Sequence, residues 1–240
     1  MTDLSLQSLQ LPRHVVIIPD GNRRWAAGRD LHPWELHEAG AANTERLIRE
    51  ARRLGIREIS FWGSSLENLA KRPLVESTAL LRIYENYFKK LLKSDDIHTD
   101  QAKIRFIGRW EEQFPAPLKA VLYECLESTK TYDQYFLNFF LAYSGDDEMR
   151  QAIARIVDRL KDGGQVTDAL IKESLMTRDM PPVDLLIRTG GEPHLSAGFM
   201  MWDMANTQLH FSDKLYPDFD ESSLRAAILD YGRRGKRFGK

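Results

Sequence analysis

The 240-residue chain holds one cysteine, Cys125, which excludes an internal disulfide and fits a reducing compartment. No adjacent motif makes that thiol a nucleophile, so a buried helix position is expected for it. No stretch reaches the ~18 apolar residues of a membrane span, and the first residues lack the charged and apolar regions of a signal peptide. Charge of neither sign dominates: 34 Lys and Arg stand against 35 Asp and Glu, a net −1. That balance gives no support to nucleic-acid binding. The expectation is a cytoplasmic protein. Also missing are a P-loop string, Gly-x-Gly-x-x-Gly, Gly-x-Ser-x-Gly and His-Glu-x-x-His. His14, His32, His98 and His210 have no metal-ligand spacing. With no linker, repeat or low-complexity segment, one domain over residues 1–240 is expected. Residues 1–10, Ser94–Ala102 and the last few residues are the expected flexible pieces.

Strand-like and helix-like stretches alternate. His14–Ile18 is a continuous apolar run, as in a strand buried on both faces. Further strands are expected at Ile56–Gly63, Lys103–Gly108, Tyr135–Tyr143, Asp184–Arg188 and Gln208–Phe211. Helical stretches fall at Ala39–Leu54, Leu74–Lys93, Leu118–Thr131, Glu148–Lys161 and Ser222–Arg234. Gly55 closes the first of these, Pro115 and Pro117 suit the start of the third, and Asp220 is placed to cap the last. The alternation predicts an α/β fold: an open, mostly parallel six-stranded sheet flanked by helices on both faces. The aromatic face from Tyr84 to Leu92 is most simply core, though in such a fold it could also wall an apolar tunnel.

Ligands of open α/β sheets usually bind at the carboxyl ends of the strands, and three such ends carry polar, phosphate-compatible residues. Pro19-Asp-Gly-Asn22 is by itself a turn signal. It follows a buried run, however, and leads into Arg23, Arg24 and Trp25. Exposed amides of Gly21 and Asn22, a nearby helix start and bidentate arginines all suit phosphate oxygens. Asp20 would repel a bare phosphate and makes sense if Mg²⁺ lies between them. Arg188-Thr-Gly-Gly191 repeats this logic, the alternative being a structural ion pair at Arg188. Ser64-Ser-Leu-Glu-Asn68 is an ordinary polar loop in isolation and gains interest from its convergence with the other two. His37 lies at a helix start, where a histidine is commonly a cap or a surface residue.

Five blocks in order carry a family resemblance: Asp20-Gly-Asn-Arg-Arg-Trp25, His37-x-x-Gly40, Ser65-x-Glu-Asn68, Asp184-Leu-Leu-Ile-Arg-Thr-Gly-Gly-Glu192, and Tyr216-Pro-Asp-Phe219 before Arg237-Phe-Gly239. From Leu11 to Gly239 the chain resembles the cis-prenyltransferases. The resemblance implies an apolar tunnel in the fold and a homodimer. It implies condensation of isopentenyl diphosphate with an allylic diphosphate such as farnesyl diphosphate, giving a Z-polyprenyl diphosphate, with Mg²⁺ as cofactor and a peripheral membrane contact for product release. Carried over, Asp20 holds the metal and Asn68 assists proton removal. Gly21, Asn22, Arg23, Arg24, Trp25 and His37 line the allylic diphosphate site. Ser65, Glu67 and Asn68 lie at the reacting carbons, Leu66 belongs to the same substrate-binding stretch, and the family's following arginine corresponds to Lys71 or, after an insertion, to Arg72. Arg188, His194 and Ser196 bind isopentenyl diphosphate, and Arg237 and Gly239 belong to a tail that reaches a partner's site. The Asp-Asp-x-x-Asp box of trans-type prenyl synthases is missing.

The chain also departs from that pattern. Pro33 and His194 stand where the family usually has arginine, the loop through Ala197-Gly198 is one residue longer, and Leu69 replaces an aromatic. Gln208 stands where a glutamate usually helps to bind Mg²⁺. These changes fall more on the isopentenyl than on the allylic side. They leave two other readings open: irregular or short-chain condensation through an altered acceptor site, and a supporting subunit of a prenyltransferase complex.

Overall fold

The computed structural model describes residues 10–29, 33–71 and 74–234, with residues 33–37 described in backbone only. Six strands form one sheet: β1 (His14–Ile18), β2 (Glu58–Trp62), β3 (Ala102–Ile107), β4 (Tyr135–Phe140), β5 (Leu185–Arg188) and β6 (Gln208–Phe211). Their order is β3-β4-β2-β1-β5-β6 and every pairing is parallel. The expected α/β sheet is therefore present and is parallel throughout. All five residues of β1 are buried, as an interior strand covered on both faces requires.

Alternation along the strands sorts the core into two layers. Val15, Ile17, Ile59, Phe61, Leu137, Phe139, Leu185 and Ile187 face one cluster. It is completed by Leu47 of α2 (Pro33–Arg53), Phe88 of α4 (Leu74–Leu92), Leu122 of α7 (Ala116–Thr129), and Leu224 and Ile228 of α10 (Glu221–Arg234). Val16, Ile18, Trp62, Ile107, Phe140 and Leu186 face the other, packed with Tyr143, Met180, Phe199 and Met200. Each fully buried large aliphatic or aromatic side chain here contributes about 1.5–3 kcal/mol of transfer free energy. Cys125 lies on α7, fully buried, and burial pushes its thiol up to about 12, so it is the inert core residue expected.

Local chemistry sets the element ends. Asp220 caps α10 through a 2.9 Å bond from the Ser223 amide. β4 stops at Phe140, short of the expected Tyr143. Ala142 turns into the left-handed region at φ 51°, and the Tyr143 amide bonds the Ser64 carbonyl at 3.1 Å. Ser94–Ala102, expected to be flexible, instead contains α5 (Asp95–Thr99) and the start of β3. Ile97 is buried there, and Asp100 pairs with Arg52, which anchors the segment to α2. The remaining helices are α1 (Asn22–Ala27), α3 (Leu66–Lys71), α6 (Trp110–Gln113), α8 (Gly145–Arg159) and α9 (Asp168–Ser174).

A buried polar row crosses the amino-terminal half of the sheet. His14 Nε2 lies 2.7 Å from Ser60 Oγ, and its Nδ1 lies 3.1 Å from the Pro181 carbonyl. Asn138 donates to both Ser60 and Glu58, and Arg105 pairs with Glu58 at 3.1 Å. Burial pushes the His14 imidazole down to about 4, so it is neutral in the fold.

Candidate active site

The carboxyl ends of β1, β2 and β5 open onto one cleft of about 570 Å³. Its walls bring together Asp20, Gly21, Asn22, Arg23 and Arg24 after β1, Ser64, Ser65, Glu67 and Asn68 after β2, and Arg188 with Ser196 after β5.

Gly21 makes the β1 turn at φ 96°, and a Cβ there would lie 2.7 Å from Leu215 Cδ2. The Gly21 amide donates to Asp20 Oδ1 at 2.6 Å, and α1 begins at Asn22. Asp20 is also fixed through its backbone. Its amide donates to Thr189 Oγ1 at 2.9 Å, and that hydroxyl donates back to the Asp20 carbonyl at 2.8 Å. Thr189, fully buried, thus locks the β1 end to the β5 end. No side-chain role was assigned to it from sequence, although it stands between Arg188 and Gly190 in the motif. Gly190, at φ 89°, allows the approach: a Cβ would stand 2.8 Å from Arg24 Nη2 and 3.0 Å from the Asp20 backbone.

Arg188 is only 5% exposed and holds three partners. Nη2 donates to Asp20 Oδ2 at 2.7 Å, and Nη1 donates to the His194 carbonyl at 2.6 Å and to Ser196 Oγ at 2.8 Å. Its Nε is buried with no hydrogen-bond partner. Arg24 stands 3.6 Å from the other Asp20 oxygen. Arg188 thus makes the ion pair that its sequence context allowed, and it also lines the cleft. Three arginines against Asp20 and Glu67 leave the cleft a place for an anion.

After β2, Ser65 accepts the Asn68 amide at 3.0 Å, capping α3 and holding Asn68 over the cleft. Glu67 pairs with Lys71 at 2.5 Å, which lowers its carboxyl. Beside Asn22 and Arg23 the cleft adjoins a more apolar cavity of about 170 Å³. Gly63, Leu80, Tyr84, Tyr87, Phe139 and Leu141 line it. Gly40 of α2 meets this corner as well: a Cβ on it would come within 3.0 Å of Asn22 Oδ1. The His37-x-x-Gly40 spacing thus has a packing reason at its glycine.

Other expected residues lie elsewhere. Trp25 turns away to donate to Asp218 at 2.8 Å, with Arg29 stacked 4.3 Å from its ring. Leu66 and the exposed His194 ring are not on the cleft wall, and His194 acts on Arg188 through its carbonyl. Gln208 is not brought to Asp20 within the chain. The β5–β6 register sets it beside Leu185, three residues before Arg188, or roughly 10 Å down the sheet at about 3.3 Å per residue. Within the chain, strand register keeps Gln208 apart from the strand ends to which motif order would carry it. The His37 side chain, Arg72, Arg237 and Gly239 lie outside the described residues.

An open parallel sheet with arginine-rich loops converging at its strand ends, next to an apolar cavity, defines an α/β protein built to hold anionic, part-apolar ligands. Comparison with known proteins makes this specific. Residues 18–239 match the undecaprenyl diphosphate synthase family of prenyltransferases. The chain is 34% identical over 234 residues to a tritrans,polycis-undecaprenyl-diphosphate synthase (geranylgeranyl-diphosphate specific) of Pyrococcus abyssi, covering 96% of this chain and 88% of the relative. It is 35% identical over 233 residues to an isoprenyl transferase of Aquifex pyrophilus, covering 97% and 98% of the two chains. Lavandulyl diphosphate synthase from Lavandula x intermedia, solved in complex with dimethylallyl diphosphate, superposes with a TM-score of 0.89 at 30% identity, covering 96% of this chain and 99% of that one. The chain belongs to the cis-prenyltransferase family.

Proposed function

We propose that the protein condenses isopentenyl diphosphate with an allylic diphosphate, holding the two diphosphates on either side of the Asp20–Arg188 pair. The observation that carries this reading is that pair itself. A carboxylate and a nearly buried guanidinium from adjacent strand ends meet 2.7 Å apart, with Arg23 and Arg24 on one side and Ser196 on the other. The allylic diphosphate lies toward Asn22, Arg23 and Arg24, with its hydrocarbon in the adjoining apolar cavity, which serves as the head of a product tunnel. Isopentenyl diphosphate lies toward Arg188 and Ser196. The double-bond electrons of isopentenyl diphosphate form the new bond to the allylic carbon. The allylic diphosphate leaves with the electron pair of the broken C–O bond, and a proton of the isopentenyl unit then passes to a diphosphate oxygen, with the Asn68 amide beside it to orient the transfer. The site residues hold the reacting carbons together, which is where most of the rate advantage of such a reaction arises.

The donor set fits Mg²⁺. Asp20 offers one partly exposed carboxylate to the cleft, and no cluster of three or more His, Cys, Asp or Glu occurs among the described residues. One protein carboxylate plus substrate phosphates is a common way of holding this ion. Asp20 would hold it, and when bound it neutralises charge on the departing diphosphate.

A homodimer is proposed on the resemblance and is supported by exposed apolar side chains. Ile153 and Val157 lie one turn apart on α8, and Leu195 and Met201 lie on the loop that meets the start of α8. Product transfer to a membrane surface is proposed as peripheral; among the described residues no helix is long and apolar enough to cross a bilayer. A second reading, in which the acceptor pocket takes dimethylallyl diphosphate, is favoured by His194 in the Arg188 loop and by the structural likeness to a synthase solved with that diphosphate.

Incubation with radiolabelled isopentenyl diphosphate, Mg²⁺ and, in turn, dimethylallyl, farnesyl and geranylgeranyl diphosphates tests both readings. A labelled ladder of products supports the first. Condensation of dimethylallyl diphosphate with itself, without incorporation of label, supports the second. No turnover with any pair refutes both and leaves a supporting subunit.

A further inference from the structure

The loop that supplies Ser196 to Arg188 has an unusual backbone. Ala197, Gly198 and Met200 all lie at positive φ, at 47°, 58° and 46°. Two of these are residues with a Cβ, for which the left-handed region is unfavourable, so neighbouring groups must hold the loop in place. Two attachments do so. The start of α8 donates from the Gly145 amide to the Ala197 carbonyl at 2.9 Å, so closely that a Cβ on Gly145 would overlap Gly198. The other is Tyr143, fully buried, whose hydroxyl accepts the Met200 amide at 3.2 Å. The same hydroxyl donates to Glu148 Oε2 at 2.5 Å, and Glu148 Oε1 accepts the Thr177 amide at 3.1 Å. Both oxygens of a carboxylate that is 2% exposed are thereby engaged. Phe199 packs its ring between Trp62 and Phe140, each 4.8 Å away, and against Tyr143. At its other end the Tyr143 amide bonds the Ser64 carbonyl, in the short turn that leads into α3 and Asn68.

We propose that Tyr143, braced by Glu148, is a positioning residue for the acceptor pocket: its hydroxyl fixes the Ala197–Met200 turn and thereby the place of Ser196 against Arg188. This rests on the reading that the Arg188 side of the cleft takes isopentenyl diphosphate. Tyr143 does not itself line the cleft, and its hydroxyl acts on the cleft through the loop. Removing the hydroxyl leaves the Met200 amide and one Glu148 oxygen unpaired while keeping the ring in place.

Steady-state kinetics of Tyr143→Phe, Glu148→Gln and Arg188→Ala, with each diphosphate varied in turn, test it. Tyr143→Phe is expected to raise KM for isopentenyl diphosphate about tenfold, in keeping with the loss of a buried hydrogen-bond pair, with kcat and the allylic KM changed by less than about twofold. Glu148→Gln leaves one carbonyl oxygen where the carboxylate has two, so it can accept from the Tyr143 hydroxyl only by facing its NH2 toward the Thr177 amide; it is expected to shift the same KM by a smaller factor. Because it keeps the Tyr143 ring and hydroxyl, it also keeps the test open if Tyr143→Phe folds poorly. Equal rises in both KM values, or a fall in kcat alone, would reduce Tyr143 to a general structural residue. If Arg188→Ala raises the isopentenyl KM and neither other variant does, the positioning role fails while the site assignment stands. If Arg188→Ala raises the allylic KM instead, the site assignment itself fails.

Discussion

Replacing Arg188 by alanine removes a guanidinium that is 5% exposed and makes three hydrogen bonds, to Asp20, the His194 carbonyl and Ser196. Its side chain lines the cleft, so a phosphate bound there gains a charge-assisted contact with the guanidinium, while Nε itself is buried without a protein partner. A charge-assisted hydrogen bond contributes roughly 1.5–3 kcal/mol, and a tenfold change corresponds to about 1.4 kcal/mol, so the isopentenyl KM should rise by roughly ten- to 150-fold. The deletion also leaves the Asp20 carboxylate with the Gly21 amide at 2.6 Å and, as its remaining charged neighbour, Arg24 at 3.6 Å. That freed charge favours Mg²⁺ and offsets part of the loss on the allylic side, so the allylic KM should change by much less. Arg188→Lys is the sharper control. It keeps the positive charge but offers one point rather than a planar fork, and it cannot serve Asp20, His194, Ser196 and a phosphate together. It should recover only part of the lost affinity. The assay is initial rates with each substrate varied at saturation of the other, alongside a thermal melt to exclude unfolding. If Arg188→Ala binds isopentenyl diphosphate normally and loses the allylic substrate, the two diphosphate sites have been assigned in the wrong order. If Arg188→Lys is fully active, the fork geometry is irrelevant and only charge is needed.

Asp20→Ala should lose turnover by many-fold and melt below the wild type, since Thr189 keeps the backbone in place but the buried Arg188 loses its carboxylate partner; near-normal rates from the folded variant would make Pro19–Asn22 only a turn. Gly63→Leu should shorten the products. The site has Leu141 Cδ2 2.9 Å and the Tyr84 hydroxyl 3.1 Å from where even a Cβ would stand, and the adjoining cavity is only about 170 Å³, so an unchanged product distribution on chromatography would separate that cavity from the product path. His14 should make stability pH-dependent. Its folded pKa of about 4 lies below the ordinary 6.5, so its contribution is complete above 6.5 and is lost as pH falls from there to 4, at most about 3 kcal/mol. Ser60, the Pro181 carbonyl, Asp184 and Lys172 face it, and Glu58, raised by burial, acts in the opposite sense by losing its contribution as pH rises through its folded value. Denaturant titrations of wild type and His14→Gln at about pH 7.5 and 4.5 isolate the histidine, because the difference between the two proteins should shrink at the lower pH; a difference independent of pH would contradict a neutral buried His14.

Residues became legible from sequence where local pattern and tertiary position coincide. His14–Ile18 reads as a buried strand because both its faces are covered, and Asp20 to Arg24 read as a site because a strand end and a phosphate-compatible turn fall together in one short stretch. Helix α3, six residues long, carries too few turns for a periodic signal and reads from sequence as a polar loop, whereas for α1 only a helix start is legible. Ser94–Ala102 looked mobile because its polar residues hide the single anchor Ile97 and the distant partner of Asp100. Gln208 is a different case. Motif order says which residues follow one another, but the β5–β6 register decides which end of the sheet they reach, and register is set by pairing across the sheet.

The same distinction explains why Thr189 and Tyr143 went unassigned. Thr189 performs its role through a hydroxyl that joins two strand ends 169 residues apart, and nothing next to it in sequence hints at that partner. Tyr143 looks like the end of an apolar strand until Ala142 turns the chain and aims the phenol at Met200 and Glu148. On the proposed reading, both residues hold the groups that meet the substrates without meeting the substrates themselves. Sequence motifs name the side chains that touch a diphosphate, because those chemistries are few. The residues that set their distances can be of many kinds, and only the fold identifies them. The acceptor side depends more on such support. Arg188 is aimed by a loop with three positive-φ residues, whereas Asp20 sits on a two-residue continuation of β1. Substitutions that change how the enzyme handles its acceptor should therefore concentrate in the 194–200 loop and the buried groups beneath it.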